Sequence, residues 1–277
     1  MEVSEARRRF AAYIERPPQD IRLAEGALLI ALEAYPDLDV DTCLQRLDGM
    51  AETVSARLGL ELEPRRIVSH LNACLFKEQG FRGNRRDYYD TRNSFLNEVL
   101  ERKVGIPITL SIIYLDVGRR VGLPVNGVGL PGHFIVQYGA HPEPFYIDPF
   151  HTGKPLSAQD CADRVAQIYG RDLPWRASYL DVVEDLHILA RVLNNLKVIY
   201  VRKGAHELAL GAVERLILLQ PDVPSEIRDR GLLRAQLGHL HAALEDLNAY
   251  LEACPEAPDA SAMRRHVEAL WRGLRDD

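Results

Sequence analysis

The chain has 277 residues, 47% of them hydrophobic and 27% charged, with a formal net charge of −6. This is the composition of a globular protein long enough for one large domain or two modest ones, each with its own core. The acidic balance argues against nucleic acid as a partner, and no apolar run approaches the roughly 18–20 residues that span a bilayer, so no membrane partner is expected either.

The opening residues, Met1-Glu2-Val3-Ser4-Glu5-Ala6-Arg7, lack the hydrophobic core of a signal peptide, and a cytoplasmic setting is the expectation. Residues 5–15 read as a short helix closed by Pro17-Pro18. Asp20 is a suitable N-cap for a helix over 21–34, where Leu23, Ala27, Ile30 and Ala31 recur at helical spacing before Pro36. Asp39 or Asp41 starts the next helix, with Leu44, Leu47, Val54 and Leu58 as its buried stripe and Gly59 as its stop. Pro64 fits the first turn of a further helix that runs to Gly80.

The stretch from Phe81 to Asp90 has no clear period and reads as a loop, either a surface connection anchored by Tyr88-Tyr89 or the rim of a cleft. Its arginines are diluted by Asp87 and Asp90. A short helix over 93–102 follows. Pro107 then opens a longer one over 108–121, so apolar around its circumference that it belongs in the middle of its domain, with Gly122 at its end. Strands are expected at 125–128, 134–138 and 145–147. The short connection His141-Pro142-Glu143-Pro144 favours an antiparallel pair.

From about residue 180 the pattern is helical and repeats. Gly204-Ala205 and Gly238-His239, Ala209 and Ala243, Leu210 and Leu244, and Pro221 and Pro255 all stand 34 residues apart. Glycine ending one helix, alanine within the next and proline after it match the tetratricopeptide unit. Two helix pairs and a terminal helix over 260–274 make a short array, whose surface suits a protein or peptide partner. Cys43, Cys74, Cys161 and Cys254 form no CxxC pair and read as reduced thiols, not as a zinc site or a disulfide framework.

One constellation carries the order of a Cys-His-Asp site. A histidine beginning one strand and an aspartate near the end of the next can meet across an antiparallel pair. In nucleophilic enzymes such a pair deprotonates a thiol at a helix N-terminus, where unpaired N–H groups favour the thiolate. Here Gly105-Ile106-Pro107 places proline at that helix start, ahead of Gly132-His133-Phe134 and Ile147-Asp148-Pro149.

Those blocks, with Tyr88-Tyr89-Asp90, Asn93-Ser94-Phe95-Leu96-Asn97-Glu98 and Gly127-Val128-Gly129-Leu130-Pro131, resemble the bacterial SirB-one type of the transglutaminase-like superfamily, a group that commonly carries C-terminal tetratricopeptide repeats. The resemblance covers essentially the whole chain. It implies an α+β fold: a papain-like or transglutaminase-like core preceded by helices, then an all-α tetratricopeptide-like array. The expected segments are 1–80 (N-terminal helices), 81–178 (core) and 183–277 (repeats). It also implies a bacterial cytoplasmic setting and a regulatory role. Set beside the superfamily's blocks, Pro107 takes the nucleophile's place, His133 that of the general base, Asp148 that of its orienting carboxylate and Ser111 a small-residue position one turn on. Without a thiolate, Cys-His-Asp acyl transfer has no attacking atom.

Replacement nucleophiles are few. Position 109 points roughly 200° away from 107 around a helix, while Ser111 returns to nearly the same face about 6 Å deeper. Ser111 reads first as a small packing residue. Cys74 or Cys161 reaching the site through folding is a further route. His133, His141, Asp148 and His151 fit no standard zinc spacing, so neither a metal nor another cofactor is expected. His133 keeps two readings: a buried histidine bonded to Asp148 to fix strand register, or part of a ligand cleft.

The resulting expectation is a non-catalytic regulatory or scaffold protein. It binds a peptide, protein or small ligand in a vestigial cleft at Tyr89, Asn97, Ser111, His133 and Asp148, and a protein or peptide partner on the repeats. The alternative is a hydrolase or amidase acting on peptide-like bonds through an unconventional nucleophile or an activated water.

Overall fold

The computed structural model describes residues 4–59, 63–139, 144–170 and 172–276. Two compact units divide the chain, one up to Val192 and one from Leu193.

In the first unit, helices α1 (Glu5–Ile14), α2 (Leu23–Ala31), α3 (Val40–Leu58) and α4 (Pro64–Asn72) come first. Their starts follow local chemistry. Asp39 accepts from the Thr42 N–H at 3.1 Å, and Glu63 accepts from the N–H groups of Arg65 and Arg66 ahead of Pro64. Asp20 does not cap α2. Pro18–Asp20 forms a 3-10 turn, Ile21 and Arg22 are extended, and α2 begins two residues later than its periodicity predicts. The helix expected to reach Gly80 is α4, prolonged by a π-helical turn over Ala73–Glu78.

A short parallel pair, β1 (Arg82–Gly83) and β2 (Val104–Gly105), brackets α5 (Leu96–Arg102) and leads into α6 (Pro107–Arg120). Every residue of α6 from Pro107 to Gly118 is buried. The helix packs on α2, α3 and α5 and, on its other sides, on strands β3 (Val125–Val128) and β4 (Ile135–Tyr138). Apolar side chains around its whole circumference therefore all find partners.

Strands β5 (Phe145–Asp148) and β6 (Lys154–Leu156) extend the meander, α7 (Ala158–Tyr169) follows, and β7 (Val182–Val183) pairs back onto β3. Among the described residues the sheet order is β6-β5-β4-β3-β7, antiparallel throughout, as short connections require. Ser157 and Asp160 cap α7 reciprocally, each side chain accepting from the other's N–H. One face of the sheet is closed by α7: Val128, Leu130, Ile135, Tyr146 and Leu156 enclose Cys161 and Val165.

The second unit contains the end of α8 (Asp185–Arg202), then α9 (His206–Leu219), α10 (Pro224–Gln236), α11 (Leu240–Ala253) and α12 (Ala260–Asp276). Ala209 and Ala243, one period apart in the sequence, are fully buried in α9 and α11. Polar ties reinforce the packing. Lys197 donates to Glu226 and Asp229, and Asp246 on α11 accepts from Arg230 and Arg234 on α10.

Candidate functional site

The site begins with strand register. Pairing of Val136 with Ile147 puts the residues just before β4 opposite the end of β5. His133 and Asp148, both buried, meet there, with Nε2 2.9 Å from Oδ2. Asp148 also caps a 3-10 turn, Pro149–His151, accepting from the His151 N–H at 3.2 Å. That turn returns the His151 ring to the same carboxylate, with Nδ1 2.7 Å from Oδ2. Arg164 on α7 adds a guanidinium 3.5 Å from Oδ2.

Burial alone would favour the neutral acid, but the hydrogen bonds and charge of His133 and His151 outweigh it and hold the Asp148 carboxyl well below the usual carboxylate range. An ionised carboxylate only accepts, so both imidazoles donate to it. His133 donates through Nε2–H and His151 through Nδ1–H, and in a neutral His133 ring the lone pair is on Nδ1. The arrangement fixes the orientation of both rings.

His133 is presented by a tight turn. Its N–H donates to Leu130 O at 3.1 Å, and the preceding Gly132 has φ +68. A Cβ on Gly132 would lie 3.1 Å from both Ile168 and Tyr169, so glycine answers to space as well as to backbone conformation. Phe150 stands edge-on to the His133 ring at 6.1 Å and to Tyr88 at 6.4 Å, and Tyr88 stands edge-on to Tyr89 at 5.3 Å. The Phe81–Asp90 loop thus places its tyrosines as an aromatic wall running toward His133. Tyr89, 54% exposed, is its outer member.

The other expected residues lie differently. Pro107 is the first residue of α6 and is buried. Thr109 is spent locally: its Oγ1 accepts from the Ile106 N–H at 3.2 Å and donates to Asn93 O at 2.8 Å. Ser111 is fully buried and its Oγ has no hydrogen-bond partner. Asn97 sits on α5, and its Oδ1 is buried without a partner; no hydrogen bond links it to His133 or Asp148.

Neither candidate thiol is activated. Cys74 points at Met50 O, 3.8 Å away, and burial raises its pKa. Cys161 is enclosed in the apolar cluster under the sheet, and burial, aided by the charges of Asp160 and Asp148, pushes its thiol up to about 12. Both shifts run opposite to what a nucleophile needs.

His133, Asp148 and His151 each offer a ligand atom within 4.8 Å of the others, the one such trio among the described residues. Those atoms are already spent on one another, and Arg164 brings a positive charge to the carboxylate a cation would need. His141, the fourth histidine or carboxylate of the expected set, lies outside the described residues. A cavity of about 780 Å³ bounded by Val68, Asn72, Tyr146, Leu156 and Leu180 includes none of the trio.

Two contributors escape sequence reading. His151 figures there only as a metal ligand, although an aspartate before proline three residues ahead is a turn signal that returns it to Asp148. Arg191 on α8 donates from Nη2 to Leu130 O and His133 O, both at 2.7 Å, and so pins the turn that carries His133.

Residues 41–194 match the family model of the transglutaminase-like superfamily, more than half of the chain. The chain belongs to that superfamily. Residues 196–268 match a tetratricopeptide-repeat family. A Xylella fastidiosa relative called UPF0162 protein is 36% identical over 256 residues, 91% of each chain. The UPF0162 protein YchA of Escherichia coli K12 is 31% identical over 90% of this chain and 92% of its own. Protein SirB1 of Salmonella typhimurium is 27% identical, again over 90% and 92%. Transglutaminase-like core and tetratricopeptide array together are thus a SirB-type arrangement with bacterial relatives, and such repeats serve protein–protein interaction. No helix among the described residues is long and apolar enough to cross a membrane.

Proposed function

We propose that this transglutaminase-like protein is a non-catalytic, cytoplasmic regulatory or scaffold protein that engages a peptide or protein partner through its His133–Asp148 cleft and its repeat array. The observations that support this reading are the buried Pro107 at the first position of α6, where the family resemblance puts the nucleophile, and the oriented His133–Asp148 pair. A pyrrolidine ring has no atom to attack an acyl group, while the pair keeps hydrogen-bonding capacity for a bound chain. The repeats supply a second surface. A groove of about 660 Å³ is lined by Val198 and Val201 of α8, Leu232 and Gln236 of α10, and His266 of α12. Val198 and Val201 are exposed apolar residues at its wall.

The alternative, hydrolysis or amidolysis by an activated water, draws on one feature: the Nδ1 lone pair of a neutral His133 ring that Asp148 orients through Nε2. Two measurements on the full chain separate the readings. The first is turnover of a library of peptide amides and esters by wild type and His133→Ala. The second is quantitative capture of bacterial proteins by wild type, His133→Ala and Val201→Asp/Leu232→Asp. The scaffold reading expects no turnover and a bound protein lost with the groove substitutions. Saturable turnover abolished by His133→Ala overturns it.

A further inference from the structure

Arg191 is a largely buried cation without an anion. Among the described residues no carboxylate forms an ion pair with it, although most other buried or half-buried arginines here have one, such as Arg119 with Asp185 and Arg230 with Asp246. Its Nη2 serves the carbonyls of Leu130 and His133, and its guanidinium lies 5.5 Å from the centre of the Phe134 ring. Its Nη1 packs close to Gly129, where an added Cβ would come within 2.9 Å, so glycine makes room for the guanidinium, and among the described residues no hydrogen bond is made by Nε or Nη1. Carbonyl dipoles and a ring face orient a guanidinium but leave its unit charge uncompensated, and buried charges are ordinarily paired. Burial accordingly pulls the Arg191 pKa down.

The ionisable groups close enough to act on Arg191 are the phenols of Tyr88 and Tyr169. They are 39% and 41% exposed, so both phenol-bearing residues nearest the cation are open to solvent. Tyr169 packs on Gly132, next to His133, and Tyr88 continues through Phe150 to the His133 ring. One fixed positive charge, two neutral donors and aromatic walls describe a receptor for an organic monoanion. A phosphate dianion would call for more donors and more charge than one half-used guanidinium supplies.

We propose that Arg191, Tyr88 and Tyr169 form a carboxylate-binding subsite beside His133, taking a carboxylate carried on an aromatic or apolar body, as at the free C-terminus of a peptide. The proposal deepens the reading of this region as a ligand cleft and rests on it. The carboxylate pairs with the free edge of Arg191 and accepts from the two phenols. The attached side chain lies along Tyr88 and Phe150, which brings the last peptide group toward His133.

The test uses N-acetyl-L-phenylalanine and its uncharged amide as probes on the full chain, with affinity read by calorimetry or chemical-shift titration at low salt. A charge-assisted contact of this kind predicts that the acid binds about tenfold tighter than the amide. Arg191→Gln should abolish that preference. Because Arg191 also holds two backbone carbonyls, Tyr88→Phe/Tyr169→Phe, which leaves the turn untouched, should reduce the preference at least about threefold. Acid and amide bound equally, with binding lost in His133→Ala, sink the subsite and leave the cleft standing. Binding of neither probe sinks the subsite, while partner capture by His133→Ala decides the cleft separately. A preference for the acid that survives both the Arg191 and the double tyrosine substitutions also overturns the proposal.

Discussion

His133 Nε2 and Asp148 Oδ2 lie 2.9 Å apart across fifteen residues of chain, and the same Asp148 oxygen holds His151 Nδ1 at 2.7 Å. One carboxylate therefore fixes two imidazoles, and its loss has a calculable sense. In Asp148→Asn one amide edge presents N–H groups to ring nitrogens that themselves donate, so a tautomer must change or a buried donor goes unpaired. The expected cost is about 2–4 kcal/mol in urea unfolding at neutral pH.

The acid limb of stability follows the same group. The folded-state pKa of Asp148 is depressed, so its contribution is fully present above the unfolded value, about 3.9, and is lost as pH falls toward the folded value. Wild type should lose more stability than Asp148→Asn between about pH 5 and pH 2, narrowing the gap between them. Unfolding midpoints across that range measure it; a constant gap would mean that the carboxylate does not titrate with folding.

Restoring sulfur at the start of α6 tests the inherited geometry. In Pro107→Cys the new thiol should alkylate at pH 7 about tenfold faster than in Pro107→Cys/His133→Ala, because in the proposed relic site the His133 imidazole favours the thiolate. Equal rates would show that His133 does not reach that position. The substitution gives up a favourable first-turn proline, so a modest drop in Tm is expected as well.

Ser111→Ala removes a buried hydroxyl without a hydrogen-bond partner, leaving the surrounding packing intact. Stability should stay within about 1 kcal/mol of wild type, on the stabilising side. Any turnover found in the peptide library should be unchanged. Loss of such turnover would make Ser111 a nucleophile after all.

The native thiols should separate by accessibility. Cys43, Cys74 and Cys161 are buried and burial raises all three pKa values, whereas Cys254 is half-exposed. An aromatic disulfide reagent at pH 8 should modify one thiol quickly and three only on unfolding. Fast reaction of Cys161, identified by peptide mapping, would contradict its place beneath the sheet.

Much of this architecture is written in local pattern. The circumferentially apolar run after Pro107 becomes the central helix, the three meander strands fall within one residue of their expected bounds, and the 34-residue offset becomes the helix pairs around Ala209 and Ala243. What escapes is short or distant. Strands of two or three residues such as β1, β2, β6 and β7 carry no periodicity to detect. Asp20 looks like a cap, but the preceding prolines commit it to a 3-10 turn. Arg191 meets the His133 turn across 58 residues, through backbone carbonyls that leave no imprint on side-chain identity.

Thr152, directly after His151, is a β-branched residue at φ +56, a conformation such residues seldom adopt, and Gly153 follows at φ +75 with its N–H donating to Asp148 O. Carboxylate, second imidazole and contorted backbone are consequently one tightly wound cassette. Relaxing Thr152 toward an ordinary extended shape would uncoil the turn that returns His151 to Asp148, while the His133 contact, set by the pairing of β4 with β5, does not depend on it.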